Sequence, residues 1–102
     1  MGKFVLVYKG GAAPTSEADG AKVMEAWMGW FGTLGAAVLD GGNPFGASTA
    51  VASNGSITAA SAGLSGYSIL SADDLAAAAA LAKGCPILGA GGSVEVYEAH
   101  DM

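Results

Sequence analysis

The sequence predicts an α+β fold, with one antiparallel sheet and two helices in the order β-α-β-β-α-β. Three observations predict it. A run of β-branched and aromatic residues, Phe4, Val5, Leu6, Val7 and Tyr8, lies near the start and stops at Gly10-Gly11. Apolar residues then recur at Val23, Trp27, Trp30, Phe31, Leu34 and Val38, spacings that trace one face of a helix. Further on, Asn54-Gly55 stands between two strand-like runs, a strong short-range hairpin signal.

Taken in order, residues 3–9 read as a strand that is apolar on both faces and therefore central. Residues 10–14 read as a loop. Ser16 with Asp19 fits a helix-starting capping box, and the helix spans residues 17–36, with Lys22, Glu25, Gly29 and Thr33 on its polar side. Gly29, Gly32 and Gly35 each weaken that helix by roughly 1 kcal/mol relative to Ala, which points to close backbone contacts there. Val38-Leu39-Asp40 begins an extended segment that Gly41-Gly42-Asn43-Pro44 breaks. Residues 48–53 and 56–59 form the hairpin arms, with positive φ expected at both Asn54 and Gly55. Residues 66–71 continue the second arm as a strand. Ser71 with Asp74 fits a second capping box opening an alanine-rich helix over residues 75–83. Gly84 suits a left-handed C-terminal position, and Pro86 prevents continuation. Residues 89–92 are a loop, 93–98 alternate as the last strand, and 100–102 are a tail.

This order is the split-βαβ, ferredoxin-like unit, a single domain over residues 1–102. Both helices should cover one sheet face. Phe4, Leu6 and Tyr8 share one side of the first strand, and Val5 and Val7 share the other. Both sides are apolar, so the helix-free face also needs cover. With 17 glycines among 102 residues and much alanine, the core is small. Burial against a second copy is therefore expected, giving a homodimer.

Charge narrows the partners. The net charge is −5, with four basic residues, all lysine. Phosphate backbones and anionic membrane surfaces need a cationic face, so neither nucleic acid nor membrane is expected as a partner. Without arginine there is no bidentate clamp for a phosphate or carboxylate. Residues 41–72 carry no charge, yet their Gly, Ser, Asn and Thr content excludes a membrane span. The first apolar run is too short for a signal peptide, and one cysteine, Cys85, permits no internal disulfide, so a cytoplasmic location is expected. One His, one Cys and scattered carboxylates provide no metal-ligand spacing. No cofactor is expected either: residues 89–92 lack the Lys-Ser/Thr of a phosphate loop and precede a strand.

Several motifs together resemble the YCII-related (DGPF-domain) family. They are Leu64 to Leu70 followed by Ala72-Asp73-Asp74-Leu75, the helix end Ala82-Lys83-Gly84-Cys85-Pro86, and Gly91-Gly92-Ser93-Val94-Glu95-Val96. Trp27-Met28-Gly29-Trp30-Phe31, Leu34-Gly35 and the Asp40, Gly42, Asn43, Pro44 group resemble a subgroup of small proteins of unknown function. The resemblance implies a dimeric α+β barrel, in which two sheets face each other, with a possible ligand cleft. Two features depart from the pattern. The Asp-Gly-Pro-Phe tetrapeptide is absent. The histidine that some members carry in the first helix, paired with an Asp and proposed as catalytic, falls near Met24, and this helix contains no His. That catalytic pair does not carry over.

The candidate site residues come from the residues themselves. Trp27 and Trp30 are the largest side chains of the first helix and read as core or as walls of an apolar pocket. Asp40 follows the apolar run 36–39. As a partly buried acid it could act as a base; otherwise it caps the turn at 41–43. Asn43 and Tyr67 could supply neutral hydrogen bonds nearby. Cys85 reads as an inert buried thiol and His100 as a solvated terminal residue. Two functions remain open. One is a small-molecule binding protein, with cofactor-free proton-transfer or lyase-type chemistry in a cleft between the first helix and the sheet, with Asp40 as its base. The other is a non-catalytic accessory or regulatory protein acting through its dimer surface.

Overall fold

In the computed structural model, which describes residues 2–11 and 16–101, the alternation of the first strand decides where the core lies. Strand β1 (Gly2–Lys9) buries Phe4, Leu6 and Tyr8 on one face and leaves Val5 and Val7 half-buried on the other. It is followed by α1 (Glu17–Leu34), β2 (Val38–Asp40), β3 (Ala50–Val51), β4 (Ile57–Thr58), β5 (Leu64–Ala72), α2 (Leu75–Ala82) and β6 (Ser93–Ala99). Short 3-10 turns span Gly35–Ala37 and Pro86–Ala90. The architecture is α+β. One antiparallel sheet has strand order β2-β5-β1-β6, and β3 pairs with β4 as a separate two-stranded sheet. Residues 12–14 of the expected loop and Met102 of the expected tail lie outside the described residues.

Both helices supply the core on the same sheet face. Leu6, Tyr8 and Leu70 pack with Trp30 of α1, Ala82 of α2, Cys85 and Ile87. Phe4, Ala72 and Ala78 form a second cluster at the other end of the sheet. The molecule is 18 Å thick in its shortest dimension, and both core clusters lie on the face of the sheet that carries Phe4, Leu6 and Tyr8. No described helix is long and apolar enough to cross a membrane.

The elements differ from the sequence reading where tertiary contacts override local signals. The hairpin does not run into β5. It leaves the sheet, and residues 45–64 are exposed except for half-buried Ala50. Its turn is a three-residue loop. The Gly55 N–H donates to the Ala52 carbonyl at 2.9 Å and the Ala52 N–H to Ser56 O at 2.8 Å. Only Gly55 takes a positive φ, 86°; Asn54 does not, and its side chain instead accepts from the Ser56 N–H at 2.9 Å. Ser16 does cap α1, accepting from the Asp19 N–H at 3.1 Å. The helix ends at Leu34, two residues before the expected bound, because Gly35 leaves helical geometry. The cap of α2 is Asp74, which accepts from the Ala77 N–H at 2.8 Å, while Ser71 belongs to β5. Gly84 is not left-handed. A Cβ there would sit 3.1 Å from the Trp30 indole, so close packing is what selects glycine. The glycines of α1 reverse that logic: a Cβ at Gly29 or Gly32 would meet nothing within 4 Å.

Candidate functional site

The two helices leave a cleft on one side of α1 only because of what each carries. Trp27, Trp30 and Phe31 form one aromatic cluster. Trp27 sits edge-on to Tyr8 with ring centroids 5.0 Å apart, and Trp30 lies 5.1 Å from Phe31. Rings of this size hold the helix axis away from the sheet. The space left beside them is a cleft of about 470 Å³. One wall is α1, through Met24, Trp27 and Phe31; Tyr8 and Gly66 contribute from the sheet, and the opposite wall is the loop 41–44.

That loop is built by the strand beside it. β2 pairs with β5 through a bulge, Val38 opposite Leu70 and Asp40 opposite Ile69. The chain then turns at Gly41-Gly42 and rejoins β5 further along. Pro44 bridges to Gly66, and the Phe45 N–H donates to Ser65 O at 2.9 Å. Gly42 makes the turn possible. Its φ is 76°, and a Cβ would stand 1.7 Å from the Tyr67 carbonyl oxygen. The Gly-Gly-Asn-Pro segment that reads in sequence as a break is therefore a wall clamped onto the sheet edge.

The structure divides the expected site residues. Trp27, Asn43 and Tyr67 all border the cleft. Trp30 does not. Three residues on, it points roughly 60° around the helix from Trp27, is 7% exposed, and donates its indole N–H to the Leu81 carbonyl at 3.3 Å. It is a core residue joining α1 to α2. Tyr67 borders the cleft, but its neighbour in register is Val7, on the helix-free side. Its ring stacks on Phe45 there, centroids 5.8 Å apart. Asp40 lies outside the cleft. It is exposed, and its Oδ1 accepts from the Gly42 N–H at 2.8 Å. The apolar setting that would make it a base is absent, because the bulge sets Asp40 at the sheet edge, where its nearest donor is its own turn.

The sequence reading missed Tyr8, Met24, Phe31 and Ile87 as cleft residues. Tyr8 carried a usable signal. A tyrosine aligned with Phe4 and Leu6 on a buried strand face must find a partner for its hydroxyl. It donates to Ser68 Oγ at 2.7 Å, and Ser68 donates to the Gly41 carbonyl at 2.7 Å. Burial pushes the Tyr8 hydroxyl up to about 12, outweighing the opposing effect of the Ser68 bond. Burial likewise pushes the Cys85 thiol up to about 11, which keeps it an unreactive neutral group. His100 is exposed and pairs with Glu98 at 3.0 Å, away from the cleft. Among the described residues no group of three or more His, Cys, Asp or Glu is placed to hold a metal. The site is thus an uncharged aromatic cleft on a two-helix α+β sheet. No family model, curated protein or solved structure matches the chain.

Proposed function

We propose that this protein is a homodimeric, YCII-like, ferredoxin-like protein of the cytoplasm that binds a small organic molecule between α1 and the sheet. The observation that carries the binding reading is the cleft of about 470 Å³, which is large enough for a small ligand and walled by Met24, Trp27, Phe31 and the clamped loop. The strand order β2-β5-β1-β6, with the hairpin as an insertion between β2 and β5, supports the ferredoxin-like assignment. Asp40, committed to the Gly42 turn, shapes the cleft wall, and the reading gives it no proton to move. A titration with neutral aromatic fragments, followed by ¹H–¹⁵N NMR, should shift the amides of Met24, Trp27, Phe31 and Gly42. Shifts confined to other surfaces, or none at all, would refute binding in the cleft.

The homodimer rests on two uncovered surfaces. Val5, Val7 and Ile69 are half-buried and Tyr97 is exposed on the helix-free face. The hairpin also projects Val51 and Ile57, a cross-strand pair with both side chains exposed. A lone two-stranded hairpin is marginal in water, and an uncharged one gains most by lying against another chain. Light scattering at micromolar concentration should give twice the chain mass; a monomeric mass would remove the dimer from this reading. The same two surfaces favour the second reading, an accessory protein acting through its dimer surface, if the fragments leave the cleft amides unmoved.

A further inference from the structure

Resting on the cleft reading above, the geometry points to the class of ligand: we infer that the cleft takes an uncharged aromatic molecule that donates one hydrogen bond to the Tyr8 hydroxyl oxygen. Two independent features carry this. The first is the lining. Among the described residues no charged side chain borders the cleft; its lining is aromatic, aliphatic and backbone, with Asn43 and Ser65 as neutral polar groups beside the tyrosines. A charged group entering it would lose hydration with no counter-ion to replace it.

The second feature is the direction of one proton. The Gly41 carbonyl can only accept, so the single hydroxyl proton of Ser68 is spent on it. Ser68 Oγ, fully buried, is then left as the acceptor for Tyr8. The Tyr8 proton is thereby committed to Ser68, so any further hydrogen bond at the Tyr8 oxygen must be donated to it. Tyr8 and Gly41, the two ends of this one-way chain, both border the cleft. Tyr8 is protonated at neutral pH, as an ordinary tyrosine is, and burial raises its hydroxyl further, to about 12. Where it meets Tyr8 the cleft therefore presents a neutral acceptor, which suits a phenolic or N–H donor rather than a carbonyl or ether.

Isothermal titration near neutral pH with 2-naphthol, 2-methoxynaphthalene and 2-naphthoate tests this. The hydroxyl probe should bind roughly five- to tenfold more tightly than the methyl ether, the return on one neutral hydrogen bond. The carboxylate should bind more weakly than either, by more than about tenfold. Tyr8→Phe should bring 2-naphthol down to the affinity of the ether. Ser68→Ala frees the Tyr8 proton to turn toward the cleft, so it should raise the ether's affinity and shrink the gap between the two. Equal binding of the hydroxyl and ether probes by the unaltered protein, or tight binding of the carboxylate, would overturn the inference and leave the cleft reading standing. Failure of both neutral probes to bind would overturn the two together.

Discussion

The two helices share one sheet face and use it in opposite ways. α2 is almost all alanine, lies directly against β1, β5 and β6, and buries Ala78 completely. α1 is more than twice as long and carries the largest side chains, yet Trp30 is its one buried residue. Its closest backbone neighbours are the two 3-10 turns rather than the strands. Small side chains let a helix approach the sheet until no space remains; a ring cluster stops the approach early. Hydrophobic content alone therefore says little about how tightly an element is seated. The better-packed helix closes the fold, and the propped one leaves the cleft.

The contrast is most easily broken at Trp30, the anchor between the helices. Trp30→Ala should cost about 3–5 kcal/mol in chemical denaturation, from lost burial and the Leu81 hydrogen bond. A loss below about 1 kcal/mol would show that α1 is held by something other than this residue. Next comes the joint that Cys85 seals beneath Trp30. Its thiol is raised from 9.0 to about 11, so the folded state favours the neutral form. That contribution is complete below pH 9 and is lost as pH rises through 11, on the order of 2–3 kcal/mol. Tyr8, raised from 10.0 to about 12, extends the loss upward. Urea midpoints measured between pH 8 and 11.5 should fall, and Cys85→Ala should flatten the first part of the slope. A midpoint constant to pH 11 would contradict the burial.

Ala78→Leu probes the seated helix directly. Extra methylenes between α2 and the sheet should cost about 1–3 kcal/mol, and an unchanged melting temperature would mean that α2 rides as loosely as α1. The opposite sign is expected on α1. Gly29→Ala and Gly32→Ala enter open space, so each should stabilise by about 0.5–1 kcal/mol. A loss at either position would reveal a second chain packed on that surface. The smallest effect belongs to Asp40→Asn. Asn accepts from the Gly42 N–H nearly as well as Asp, so stability should change by only a few tenths of a kcal/mol. A change of more than about 1 kcal/mol would give the carboxylate a role beyond the turn.

Much of this was legible in the sequence, for reasons that stay local. Ser16 capped its helix as read, because the cap and its N–H partner lie three residues apart. The alternation of β1, the alanine helix and the last strand followed from periodicity and from Gly and Pro at their ends. The cleft between the first helix and the sheet was anticipated, and Trp27, Asn43 and Tyr67 do border it. Trp27 and Trp30 read together in the sequence, as core or as pocket walls; Trp30 is core and Trp27 borders the cleft, because residues three apart in a helix share a stripe without sharing a neighbour.

What the sequence by itself determined is the α+β class, the two helices, the strands at either end of the chain, and the uncharged character of residues 41–72. Each depends on neighbours within a few positions. Only the tertiary structure decided that the hairpin would leave the sheet, that the Gly41-Gly42 break would be clamped against Tyr67 as a wall, and that Tyr8 and Ser68 would meet. The last pair are 60 residues apart in the chain. Such contacts depend on register between distant strands and on how closely each helix can settle. Those are set by the volume of side chains brought together from the whole chain, which no local pattern records.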